Sequence, residues 1–544
     1  MRRLFSYVLF ATNISSIVRG LSNASIPIAK TPNGTFAGRY LAGWDQDLFL
    51  GIPYAQPPTG PLRFRWPQAP NSSWSGLKDA SQYGYSCYQY NTAFNLSEDC
   101  LTLNVIRPSG HDGSRLPVLV WIFGGGLYTG STADPQYNLS GIVRNAQDTN
   151  TPIIAVSINY RLGMWGFLQT PQILAEGSSN AGLLDQRLAL RWIQENIASF
   201  GGDPNRVVIW GESAGAQSIG LHLNSYGGRD DGLFHAAIME SGGPVGTNLE
   251  PLAYYTSPVE NLTRTVGCWA VTDQLACLRS LSSSALFAAR PSQVWNPIVD
   301  GDFLTAYPST LMDEGKFIKI PLLIGANSDE GVSFSVHGLD NSTAIFNSLM
   351  SWRSYALTPA SIRTLLELYP NDPAEEPPYG RMGNDTYPKY GLEWRRDAAI
   401  GGDIVIIGQR RKMCEYYTRA GKDVWSYRFD TPFWNASAPV SVPHFVNVVF
   451  SFQNISGALG PLPQYQSYKD LSTSIGRAYI NFVTQGDPNL GIGSKEAGLP
   501  NWPRYSLANP MNMVLNSNGS FVERDAWRKE GIAFINSISR ELLA

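Results

Sequence analysis

Phe200 to Ser218 read FGGDPNRVVIWGESAGAQS, and within them the chain passes from one kind of secondary structure to another. Val207, Val208, Ile209 and Trp210 form a short apolar run rich in β-branched residues, which predicts a buried strand ending at Gly211. Gly211-Glu212-Ser213-Ala214-Gly215 then fits G-x-S-x-G. Glycines two before and two after the serine let the backbone fold tightly, leaving Ser213 strained and exposed between strand and helix. A helix can follow from Ala216 through Leu223, which contain no proline and no breaker stronger than Gly220.

A serine so placed is a candidate nucleophile, because a helix N-terminus and nearby backbone N–H groups favour the oxyanion formed when it attacks a carbonyl. The pentapeptide alone is weak, since short Gly/Ser patterns recur in turns. The strand before it and the helix after it supply the context the motif demands. With Phe200-Gly201-Gly202 ahead of the strand, this region resembles the type-B carboxylesterases, a family that includes cholinesterases and a group of fungal lipases. The resemblance implies an α/β-hydrolase fold: α/β, with a mostly parallel central sheet, helices on both faces and long helical insertions.

Composition agrees with a large globular chain. Of 544 residues, 43% are hydrophobic and 16% charged, enough to bury a sizeable core. A formal net charge of -3 gives no reason to expect nucleic acid or an anionic membrane as partner. Met1-Arg2-Arg3, the apolar run Leu4 to Ala11, and the small residues Val18 and Gly20 read as a secretory signal over residues 1–20. The apolar run is too short to span a bilayer. Asn-x-Ser/Thr sequons at Asn23, Asn33, Asn71, Asn95, Asn138, Asn261, Asn341, Asn384, Asn435, Asn454 and Asn518 favour an extracellular glycoprotein. Five cysteines leave one unpaired, and short loops suggest Cys87 with Cys100 and Cys268 with Cys277. Cys414 then reads as a buried small hydrophobe. No C-x-x-C or His-rich cluster suggests a metal.

Thr35 to Tyr54 predict antiparallel N-terminal strands, and Pro117 to Phe123 another buried strand followed by Gly124-Gly125-Gly126. Standing alone, such a run is most simply a flexible turn. Beside the elbow it becomes the expected oxyanion loop. The resemblance implies that the donors are the amides of Gly125 and Gly126, joined by Ala214. Glu98-Asp99-Cys100-Leu101-Thr102-Leu103-Asn104-Val105 matches a second family signature. Its alternation predicts a half-buried strand, and the resemblance suggests that Glu98 or Asp99 pairs with an arginine such as Arg63. Pro152 to Asn159, Ala236 to Met239, Pro321 to Ala326 and Val424 to Phe429 complete the predicted strands, with an amphipathic helix over Gly182 to Glu195 carrying Asp185, Arg187 and Arg191. Gly242 to Ile320 and Gly331 to Asp423 read as insertions. No charged or Pro/Ser-rich linker interrupts the chain, so residues 21–544 are expected to form one domain.

A serine nucleophile needs a base and the base needs a carboxylate. Five histidines compete. His111, His222 and His235 precede the expected place in the order serine, acid, histidine, and His337 follows the acid candidates too closely. His444, in a loop beyond the last predicted strand, is the expected base. For the acid, Asn327-Ser328-Asp329-Glu330-Gly331 leaves a strand where the family places a glutamate before glycine, which implies Glu330. Asp329 competes as a local backbone cap, and Asp300 and Asp302 look like turn residues. Asn447 departs from the family, whose members often carry an acid three residues after the histidine.

The expectation is a secreted serine carboxylic-ester hydrolase with a Ser213-His444-Glu330 triad, an acyl-enzyme intermediate, a small ester substrate and no cofactor. The alternatives are a triacylglycerol lipase of the same family, and a non-catalytic binding module of the neuroligin kind. The loop from Cys87 to Cys100 contains no tryptophan for a choline site. It is also too short for a large lid, which predicts a preference for soluble or short-acyl esters.

Overall fold

The computed structural model describes residues 26–544, apart from 293–294, 353–355, 379–382, 384, 434–435, 438, 455–464 and 491–498. The expected leader and the sequons at Asn23, Asn384 and Asn435 lie outside the described residues.

One eleven-stranded sheet dominates. Its strands are β1 (Arg39–Leu41), β2 (Gln46–Pro53), β3 (Thr102–Pro108), β4 (Leu116–Ile122), β5 (Ile154–Ile158), β6 (Gly202–Glu212), β7 (Ala236–Glu240), β8 (Leu322–Asn327), β9 (Val424–Phe429), β10 (Met511–Leu515) and β11 (Phe521–Arg524). Across the sheet the order is β11-β10-β9-β8-β7-β6-β4-β5-β3-β2-β1. From β5 through β10 every pair is parallel, and the pairs beyond either side are antiparallel. The parallel strands are apolar runs because helices cover both faces of such a sheet. Every residue of β5, β7 and β8 is buried. A separate small sheet pairs Ile28–Thr31, Gly34–Ala37 and Leu77–Asp79.

Two sequence expectations need correction. The strand over the second signature is buried along its whole length, not half-buried, because β3 lies inside the sheet between β2 and β5 with a helix against it. The sheet also continues past β9 into β10 and β11. Asn512 interrupts the short apolar run of β10 and hides it from a search for apolar stretches. Its side chain is buried nonetheless, accepting from Arg410 Nη1 at 3.0 Å and Ser426 Oγ at 2.7 Å.

Helices α1 (Ser140–Asp148), α2 (Ala181–Asn196), α3 (Ala214–Gly228), α5 (Gly408–Arg419) and α6 (Gln466–Gln485) flank the sheet, and α4 (Trp394–Gly402) packs on the turn Glu330–Ser333. On one side Trp210 of β6 stacks on Phe452 at 4.4 Å and meets Tyr479 of α6 and Trp121 of β4. Helix α2 leaves Arg191 and Glu195 exposed but buries its other two charges. Asp185 is fully buried and takes a two-pronged bond from Arg161 at 2.8 and 2.7 Å. Arg187, also buried, binds Asp231 and Ser225 Oγ. The long segments between strands supply further helices, including Thr256–Thr265, Ser342–Ser351 and Pro359–Leu368.

Candidate active site

Strand β6 delivers Ser213 to the carboxyl edge of the sheet, and its backbone turns there at φ 55° and ψ -125°, an unfavourable conformation for a residue with a side chain. The flanking glycines permit the turn. A Cβ on Gly215 would lie 2.0 Å from the Ile122 carbonyl oxygen, and one on Gly211 would lie 2.7 Å from the Gly215 carbonyl carbon. Both clashes are with backbone, so neither can be relieved by a side-chain movement.

Three segments far apart in sequence converge on Ser213. His444 Nε2 lies 2.7 Å from Ser213 Oγ, and His444 Nδ1 lies 2.6 Å from Glu330 Oε2. The other Glu330 oxygen accepts from the Asn327 amide at 2.6 Å and from Ser241 Oγ at 2.5 Å. Glu330 is therefore fixed by β8 and by the residue just after β7. Asp329 turns away and binds the His444 loop instead, accepting from the Val442 amide at 2.9 Å. Asp300 accepts from the amides of Asp302 and Leu304, as a turn residue does.

The other histidines have partners elsewhere. His111 meets Ser114 Oγ, the buried His222 meets Gln186 Oε1 at 3.0 Å, and His235 receives the Val207 amide. His337 packs against Tyr390.

Behind His444, Asn447 takes part in a buried relay. Asn327 Nδ2 donates to the Pro443 carbonyl at 2.7 Å and to Asn447 Oδ1 at 3.1 Å, and Asn447 Nδ2 donates to Glu240 Oε2 at 2.9 Å. Glu240 also accepts from Tyr479 OH at 2.7 Å, while its main-chain oxygen receives the Ser213 amide. Glu240, Ser241 and Tyr479 are not legible from sequence, since their contacts exist only across the tertiary fold. A carboxylate does reach Asn447, but from β7.

Glu212, Glu240 and Glu330 are fully buried, and among the described residues no lysine or arginine forms an ion pair with any of them. Burial pushes Glu240 up to about 7, against the pull of its hydrogen-bond donors. Burial likewise raises Glu212, whose Oε1 is 3.2 Å from His444 Nε2; His444 opposes the rise, and Glu330 and Glu240 add to it. Burial disfavours a charged His444, but the carboxylates of Glu212 and Glu330 outweigh burial and raise the imidazole above its ordinary value.

Gly124 to Gly126 border the same place. A Cβ on Gly124 would sit 2.9 Å from Ser213 Cβ. Gly125 and Gly126 take left-handed conformations at φ 90° and 65°, and no described residue accepts from their amides. Ala214 opens α3, so its amide has no partner within the helix.

Cys87 is bonded to Cys100 and Cys268 to Cys277, while Cys414 is free and buried. Arg63 forms its ion pair with Glu98, not Asp99, at 2.5 Å. Among the described residues no cluster of His, Cys, Asp and Glu could hold a metal, and no helix is long and apolar enough to cross a membrane.

Solved structures place this fold in a class. Aspergillus niger EstA superposes with a TM-score of 0.84 at 29% identity, over 95% of this chain and 99% of that one. A Geobacillus stearothermophilus carboxylesterase superposes with a TM-score of 0.76 at 27% identity, over 93% and 99%. The fold is that of the α/β-hydrolases. Residues 25–534 match the profile described as Carboxylesterase family, and this chain belongs to that family and is a carboxylic-ester hydrolase. It is also similar to Lipase 4 of Diutina rugosa, at 34% identity over 93% of this chain and 96% of that protein. Secreted lipase 1 of Botryotinia fuckeliana is 34% identical over 93% and 91%.

Proposed function

We propose that Ser213 is the nucleophile, His444 the general base and Glu330 the acid that orients it, with the amides of Gly125, Gly126 and Ala214 receiving the oxyanion. The observation that carries this assignment is the continuous hydrogen-bonded line from Ser213 Oγ through both nitrogens of His444 to Glu330. Ser213 Oγ attacks the ester carbonyl as its proton passes to His444 Nε2, and the carbonyl oxygen gains negative charge beside the three amides. Collapse breaks the bond to the alcohol, which leaves with the proton from His444. Water then repeats the sequence on the acyl-enzyme, releasing the acid and restoring Ser213.

Hydrolysis of p-nitrophenyl butyrate by wild type and Ser213→Ala tests the assignment. Loss of roughly 10⁴-fold or more in kcat is expected. Turnover in the variant within tenfold of an active wild type would overturn it. Equal and negligible turnover in both would favour a non-catalytic binding module.

The substrates are proposed to be soluble or short-acyl esters. Tyr88, in the loop closed by the first disulfide, stacks on Trp165 at 5.1 Å and packs on Phe287 at 5.0 Å, which ties the loop down as a buttress instead of a lid. The name of one fungal relative, a secreted triacylglycerol lipase, favours a second substrate class, triacylglycerols. Rate measured through the solubility limit of tributyrin separates them: saturation below the limit supports the first, and a sharp rise as emulsion forms supports the second. The leader-like start, the sequons, the two disulfides and the relatives named as secreted support export of a single-domain glycoprotein.

A further inference from the structure

We propose that Gln89 is a positioning residue for the oxyanion loop, and that the Cys87–Cys100 disulfide acts on the reaction through it. The proposal rests on the assignment of the Gly125 and Gly126 amides as oxyanion donors.

Gln89 is 1% exposed and spends both ends of its amide on the turn that closes the glycine loop. Its Oε1 accepts from Thr129 Oγ1 and from the Gly130 amide, each at 2.9 Å. Its Nε2 donates to the Gly130 carbonyl at 2.9 Å and to the Cys87 carbonyl at 3.2 Å. One side chain thus holds both backbone groups of Gly130 and anchors them to the half-cystine two residues away. The neighbouring residues extend the seam, with Ser86 Oγ 2.6 Å from Ser131 Oγ and the Tyr90 amide donating to the Tyr128 carbonyl.

The held turn bears directly on Gly125. The amides of Tyr128 and Thr129 donate to the Gly125 carbonyl at 3.2 and 3.1 Å. A Cβ on Gly125 would fall 2.2 Å from the Thr129 carbonyl oxygen, so the glycine rests against that peptide. Gly130 is itself wedged against Phe123, whose ring a Cβ would meet at 2.4 Å. Glycines resist displacement poorly by themselves, and oxyanion donors act only when fixed in advance where charge develops. Gln89 supplies that fixation from outside the loop. It needs an amide, because a carboxylate would set a second acceptor against the carbonyls of Gly130 and Cys87.

The full-length enzyme and its Gln89→Ala, Gln89→Glu, Thr129→Val and Cys87→Ser/Cys100→Ser variants would be compared on p-nitrophenyl butyrate, with Gly125→Ala as the reference. Gln89→Ala is expected to lower kcat by roughly 10- to 100-fold, part of the 10²–10³ typical of losing one donor, with KM within about threefold. Gln89→Glu should be lowered at least as much and Thr129→Val less. Removing the disulfide should reproduce the Gln89→Ala loss, and combining the two should add little, because both release the same turn. Should the disulfide variant fail to fold, Thr129→Val and Gln89→Glu still decide. Normal kcat in both Gln89 variants, beside a Gly125→Ala enzyme slowed at least 100-fold, would overturn the positioning role alone. Normal kcat in Gly125→Ala would instead overturn the oxyanion assignment and the positioning role with it.

Discussion

Two buried acidic sites, one a single aspartate and the other three glutamates, lie along the same sheet and are treated in opposite ways. At β11, Asp525 accepts from Arg410 at 2.7 and 2.9 Å, from Arg411 at 2.7 Å and from Tyr505 OH at 2.9 Å. Burial opposes its charge, yet the two guanidinium groups outweigh burial and hold Asp525 well below the ordinary carboxylate range. At the elbow, Glu212 and Glu330 share one imidazole, and Glu240 beside them has only neutral partners. There burial wins, and Glu212 and Glu240 are both raised. A cation about 4 Å away is worth about 4 kcal/mol at an effective dielectric near 20, the same order as the cost of burying an ion. Two arginines therefore settle a charge, whereas one histidine divided between two carboxylates does not offset their burial.

The sharpest way to break the contrast is to remove the charge from the settled cluster. Asp525→Asn should cost about 3–5 kcal/mol, because it leaves two arginines buried without their acid. Urea unfolding followed by fluorescence would measure it. The sign in pH follows from the depressed carboxylate: its stabilisation is present above the ordinary aspartate value and is lost as pH falls through the native one. The deficit should thus be full at neutral pH and shrink in acid. Equal midpoints for both proteins at pH 7 would contradict the assignment.

Glu212→Gln acts on the other cluster and should leave the fold in place while moving the reaction. As the proposed base, His444 must be neutral to accept a proton, and neighbouring carboxylates favour its charged form. The acid limb of kcat/KM should therefore lie above the ordinary histidine value of about 6.5. Removing Glu212 should move it down by about one unit, or 1.4 kcal/mol. An unmoved limb would mean that Glu212 does not control the base.

Glu240→Gln should do least. Its partners Asn447, Ser451 and Tyr479 are neutral, and an amide can exchange bonds with all three. A shift in the acid limb under about half a unit is expected, worth below about 0.7 kcal/mol. A larger shift would show that charge at β7, and not shape, is what the His444 loop requires.

The same contrast explains what could be read from sequence. The elbow was legible because its requirements are local: an apolar strand, two glycines that touch backbone, and a helix, all between Phe200 and Leu223. Strand β9 was legible over its full length for the same reason. The relay from Asn327 through Asn447 to Glu240 joins residues separated by more than a hundred positions and leaves no periodicity. Gln89 lies in an irregular loop, and three of its four bonds are to backbone groups, which no sequence displays. Strand β10 was missed because Asn512 is polar and buried, a combination that only Arg410 and Ser426 make affordable.

The cysteines have a practical consequence. Four of the five are closed in disulfides, and the fifth, Cys414, is buried with its thiol pushed up to about 12. A thiol so protonated and so enclosed is a poor nucleophile toward maleimides. A single cysteine introduced on an exposed helix face would then be the one reactive handle on the native enzyme. Fluorophores or surface tethers could be attached there without first removing any cysteine the chain already has.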